Sequence, residues 1–207
     1  MPNTADNLQG NTVAFPHNWT FTFTQVLASG TNLSGIQVNA LSPLSPSTTT
    51  NSNAVLPFGF QLAGSIVSAV TGQTSDLLLS FTVTSPGPIT TVTLEGTGGA
   101  TSGAGARIDE TFTNGLTGLA DGTLSLTGGG TVTLTLSTPT TDLEVSKNIT
   151  ANGGTVAGGI ASYSDVQNTF NVGSGAVVPE PASWAMLGIG LSGLLAIRRF
   201  FKRASVA

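Results

Sequence analysis

From Asn18 to Val26 the chain reads Asn-Trp-Thr-Phe-Thr-Phe-Thr-Gln-Val, so Trp19, Phe21 and Phe23 alternate with Thr20, Thr22 and Thr24. Successive β side chains point to opposite faces, so a two-residue period means a strand with one buried and one wet side. The pattern returns at Leu77–Ser85, through Leu77, Leu79, Phe81 and Val83. Further strands are predicted at Phe58–Val70 (one long or two short), Thr91–Glu95, Ile108–Phe112, Thr123–Thr127, Thr131–Ser137, Leu143–Ile149 and Ile160–Val172. The punctuation between them is of turn type: Ser85-Pro86-Gly87-Pro88, the glycine-rich Gly96–Gly105, a Gly115/Gly118 connection, Gly128-Gly129-Gly130 and Pro139. Leu41–Asn53 is rich in Pro, Ser, Thr and Asn and reads as a loop.

Eight to ten short strands and no amphipathic helix predict an all-β fold. A parallel sheet would need crossover helices, so the expected architecture is an antiparallel β-sandwich or jelly-roll-like domain over residues 1–175. Thr-x-Thr pairs recur without a fixed repeat period, which argues against a solenoid.

Composition excludes several function classes. Residues 1–178 carry nine acids and only two bases, Arg107 and Lys147, for a net charge of −7. Such a surface cannot hold a phosphate backbone, so no nucleic-acid partner is expected. Cysteine is absent, which removes disulfides, thiolate metal sites and cysteine nucleophiles together. His17 is the single histidine and lies in an irregular stretch. Asp109 and Glu110 are adjacent, point to opposite strand faces, and make a poor glycosidase pair; they read as a solvated strand end. Asp121-Gly122 reads as a turn rather than a calcium ligand. No catalytic residues, metal or cofactor are expected. Trp19 and Tyr163 read as core. They are also the one aromatic pair before the tail that a carbohydrate-binding or adhesive surface could use, so their exposure discriminates. Thr-x-Thr arrays suit polysaccharide hydroxyls, but high β-propensity on a wet face also accounts for them.

The tail, residues 176–207, is built differently. Pro179-Glu180-Pro181 precedes an uncharged run from Ala182 to Ile197, and Arg198, Arg199, Lys202 and Arg203 follow it. The two prolines hold the first segment extended. The run includes Trp184, Leu187, Gly188, Leu191, Leu194 and Leu195. As a helix it spans about 24 Å, and about 30 Å when Phe200 and Phe201 are included, enough for the hydrocarbon core of a bilayer with the arginines snorkelling. The basic cluster then keeps the C-terminus cytoplasmic and puts the β domain across the membrane. Gly188-Ile189-Gly190-Leu191-Ser192-Gly193 fits a dinucleotide fingerprint, but no strand precedes it and no βαβ unit surrounds it.

In its order and spacing this tail resembles the PEP-CTERM sorting signal of Gram-negative bacteria, the substrate signal of membrane exosortases. The resemblance rests on Val178-Pro179-Glu180-Pro181-Ala182-Ser183, the Trp184–Ile197 run and the Arg198/Arg199/Lys202/Arg203 cluster. It implies an exported, non-enzymatic cell-envelope protein. Such a chain is held transiently in the inner membrane, processed by an exosortase, and then placed at the cell surface or outside. It also implies an association with biofilm or exopolysaccharide, hence an extracellular polysaccharide partner. Members of the family carry a cleavable signal peptide. Met1–Asp6 lacks a basic n-region and an apolar h-region, so an upstream in-frame extension is expected.

Overall fold

The computed structural model describes residues 3–15, 18–41 and 58–173. Ten strands account for most of them. They are β1 (Asn3–Thr4), β2 (Thr12–Phe15), β3 (Trp19–Ser29), β4 (Gln37–Leu41), β5 (Phe58–Val70), β6 (Thr74–Thr101), β7 (Gly105–Asn114), β8 (Ala120–Thr127), β9 (Gly130–Asn152) and β10 (Ile160–Val172). Every pairing is antiparallel. Among the described residues the only helices are short 3-10 turns, and none is long and apolar enough to cross a membrane. The tail, with its sorting motif, apolar run and basic cluster, lies outside the described residues, as do His17 and most of the loop expected at Leu41–Asn53.

Two long strands build a sandwich-like fold. Residues 76–84 of β6 pair with β3 on one side, and residues 74–84 pair with residues 142–152 of β9 on the other. Residues 89–101 of β6 pair with β10 and residues 89–96 with β9 residues 130–140. Each of these strands therefore serves two layers. One layer holds β1, β4, β5, β10 and the halves β6 89–101 and β9 130–140. The other holds β2, β3, β7, β8 and the remaining halves. The ladder is irregular at Thr84/Ile89 and Ile89/Thr91. Pro86, Pro88 and Pro139 all lie there. Proline donates no N–H, so a ladder break is where a sheet tolerates it.

The inward faces carry the predicted apolar positions. Trp19, Phe21, Phe23, Phe58, Phe60, Phe81, Phe112 and Phe170 are all buried. Rings meet across the layers: Trp19 stacks on Phe58 at 5.1 Å, and Phe21 meets Phe60 edge-on at 5.7 Å. Such pairs add about 0.5–1.5 kcal/mol each beyond the area they bury.

Four local expectations change. Thr131–Ser137 and Leu143–Ile149 are not two strands but halves of β9, because β6 pairs with both. Ser85-Pro86-Gly87-Pro88 bends β6 without ending it, and Ser85 Oγ donates to Gly87 O. Gly96–Gly105 is not a loop: β6 runs on to Thr101, paired with β10. Its glycines make room for a ring, since a Cβ on Gly98 would stand 2.3 Å from Tyr163 Cδ1. Asp121-Gly122 lies inside β8, where Asp121 is buried and its Oδ1 accepts from Thr138 N at 3.0 Å and from Ser137 Oγ.

Candidate functional site

Two polar arrangements among the described residues are candidate sites, one sealed in the core and one open on a face. The sealed one begins with strand parity. Glu110 shares its face of β7 with Ile108 and Phe112, Lys147 its face of β9 with Val145 and Ile149, and Asn168 its face of β10 with Val166 and Phe170, and all nine side chains are buried. Glu110 and Lys147 are direct cross-strand partners. Asn168 reaches them from the other layer.

The three close a triangle. Lys147 Nζ lies 2.7 Å from Glu110 Oε1. It also donates to Asn168 Oδ1, and Asn168 Nδ2 donates to Glu110 Oε2 at 3.0 Å. Phe60 covers the ammonium, with its ring centre 5.6 Å from Nζ. Glu110, Lys147 and Asn168 are all fully buried. Burial pushes the Lys147 ammonium below its ordinary value, and the charge and hydrogen bond of Glu110 oppose that push. A solvated strand end at Asp109-Glu110 is therefore half wrong. Asp109 does face outward, where it pairs with Arg107 at 2.7 Å, but Glu110 is core. The signal was available in the sequence: each of the three polar residues sits in phase with apolar neighbours two positions away.

The open arrangement is a groove of about 280 Å³ on the outer face of the β3/β6/β9/β7 layer. Hydroxyls line it from four strands: Thr24, Ser80 and Thr82, Ser146, and Thr111 and Thr113, with Glu144 as its one charge. The register sets them in rows, Thr82–Glu144–Thr113 and Ser80–Ser146–Thr111. This geometry offers many hydrogen bonds and no aromatic platform. Trp19 and Tyr163 do not supply one, because both are buried. Tyr163 Oη donates to Leu126 O at 3.3 Å and to Gly128 O. Burial first, and then the charge of Asp109, push its phenol up to about 12. Among the described residues no group of three or more His, Asp or Glu side chains could hold a metal ion.

Comparison with known proteins locates one further functional element. Residues 177–199 match the PEP-CTERM protein-sorting motif, the signal of exported, envelope-targeted chains processed by exosortases. The match contains Pro179, Glu180, Pro181, the apolar residues Trp184, Leu187, Gly188, Leu191, Leu194 and Leu195, and Arg198 and Arg199, while Lys202 and Arg203 lie beyond it. No curated protein matches the chain. Solved structures that resemble the body include TmCBM61 in complex with beta-1,4-galactotriose, at 12% identity over 80% of this chain and 92% of that one, with a TM-score of 0.34. Bacteriophage CBA120 tailspike protein 4 aligns at 13% identity over 72% of this chain and 19% of that one, with a TM-score of 0.30. An arabinose-bound α-L-arabinofuranosidase, MgGH51, aligns at 14% identity over 82% and 24%, with a TM-score of 0.29. At TM-scores this low none of them bears on what this chain does.

Proposed function

We propose that this is a non-enzymatic protein of the cell envelope whose β domain is delivered outside and whose tail is a removable inner-membrane anchor. The match at residues 177–199 carries the proposal. The tail helix inserts through its apolar run, Arg198, Arg199, Lys202 and Arg203 hold the C-terminus in the cytoplasm, and Pro179-Glu180-Pro181 offers extended main chain to the exosortase. After processing the body resides at the surface or outside, in association with biofilm or exopolysaccharide. The non-enzymatic reading rests on the scarcity of catalytic side chains in the sequence, with one histidine and no cysteine. The test is mass spectrometry of the mature C-terminus in an exosortase-bearing host and in its exosortase deletion. A C-terminus ahead of Ala207 in the first strain only is the expected result. A C-terminus at Ala207 in both would leave a plain tail anchor.

The groove favours a second reading, in which the body binds polysaccharide. Its hydroxyl rows match the donors and acceptors of sugar hydroxyls, and Glu144 adds a charged acceptor. Retardation of the purified chain in a gel containing the host's exopolysaccharide, lost in Glu144→Ala, is expected on this reading. Equal mobility with and without the polysaccharide would remove it.

A further inference from the structure

The buried triangle of Lys147, Asn168 and Glu110 has the parts of a reaction, and we propose that it is the site of a self-catalysed amide bond between Lys147 Nζ and Asn168 Cγ. A merely structural ion pair needs no carboxamide from the facing layer. This one places an amine nucleophile, an electrophilic carbonyl and a proton-transfer carboxyl within bonding contact of one another. Lys147 Nζ touches Asn168 Oδ1, one bond from Cγ, while the two oxygens of Glu110 face the attacking nitrogen and the leaving nitrogen separately, at 2.7 and 3.0 Å.

The surroundings suit the chemistry. Apart from each other, the cross-strand partners of the three residues include Leu124, Leu79, Leu94 and Phe60, all buried. An amine attacks only as the neutral base, and a dry site favours transfer of its proton to a nearby carboxylate over keeping two charges. Fixing the groups in contact also removes most of the entropic cost of bringing an amine to an unreactive amide.

The step balances without water, metal or redox partner. Lys147 passes a proton from Nζ to Glu110 Oε1, and the freed lone pair forms the Nζ–Cγ bond as the C=O electrons move onto Oδ1. Glu110 delivers the proton to Nδ2, the C=O re-forms and the Cγ–Nδ2 bond breaks. Nζ gives up its second proton to Glu110, which hands it to the departing ammonia. The products are a secondary amide and one ammonium ion, and Glu110 ends as the carboxylate it began as. The bond links two residues 21 positions apart in sequence and ties one layer of the sandwich to the other, in a chain that has no cysteine to form a disulfide.

The test is made on the purified full chain after denaturation. The expected intact mass is the sequence mass less one NH3. Trypsin needs a free lysine side chain, so it should cut after Arg107 and leave the Lys147–Asn148 bond whole, with a fragment carrying the Lys147–Asn168 linkage. Lys147→Ala, Asn168→Ala and Glu110→Gln should each show their full sequence mass. A wild-type chain at full sequence mass that is cut after Lys147 overturns the proposal. So does a missing NH3 in a chain that is still cut there, since asparagine can also lose ammonia by closing on its own backbone. The wild-type result decides even if every variant fails to fold, and a linked Glu110→Gln chain would overturn the part given to Glu110.

Discussion

Gly98 lies against Tyr163 so closely that a Cβ on the glycine would stand 2.3 Å from Tyr163 Cδ1 and 2.5 Å from the carbonyl oxygen of Ser162. The second contact is with backbone, so the neighbour cannot swing away. Gly98→Ala should therefore cost stability by overpacking, about 1–3 kcal/mol, read as a lower denaturant midpoint at unchanged slope. Gly99→Ala, next door and in open space, should be close to neutral. Equal effects of the two would show that the ring does not set the packing there.

Tyr163 also predicts a pH effect. It is the only tyrosine in the chain, and its phenol is pushed up to about 12 by burial and by Asp109. Its folded value is above its unfolded one. Its contribution to stability is therefore fully present below pH ~10 and is lost as pH rises toward about 12. Tyrosinate absorbance should appear only when the fold is lost at high pH, in step with circular dichroism. Ionisation near pH ~10 with the β signal intact would contradict this environment.

Trp19 stacks on Phe58 across the layers and is wholly buried. Trp19→Ala should lower stability by about 3–5 kcal/mol through the cavity it leaves. Trp19→Phe should cost less, because a ring still meets Phe58. Thermal unfolding of the two variants checks the order, and a reversed order would argue against the stacked core.

The tail separates insertion from processing. Glu180→Ala should leave membrane insertion intact and stop release, because it alters the motif and not the apolar run. Replacing Arg198, Arg199, Lys202 and Arg203 together should instead disturb orientation, since the Lys/Arg bias sets topology. Protease protection of the body in spheroplasts distinguishes the two, and identical behaviour of both variants would refute the division of roles.

Parity along single strands was legible in the sequence: β10 is Ile160–Val172 as read, and the phenylalanines at 21, 23, 81 and 112 are inside as their phase required. The tail was legible too, because order and spacing along the chain carry a sorting signal without any fold. Misreading began where a residue's role depends on its partner. Gly96 and Gly98 read as loop because glycine breaks isolated strands, yet β10 pairs with them and Tyr163 needs the space. Glu110 read as solvated because a lone carboxylate belongs in water, and only its pairing with Lys147 and Asn168 makes burial possible.

The sequence by itself determined the alternation of buried and wet positions along most single strands and the presence of a sorting tail, because both are properties of neighbouring residues. Only the tertiary structure decided that β6 and β9 cross between layers, and that an amine, a carboxylate and a carboxamide from three strands meet in one dry place. Those facts depend on register between distant segments, such as Thr74 against Asn152 and Glu110 against Asn168, which is fixed by packing of the two inner faces and not by any local pattern.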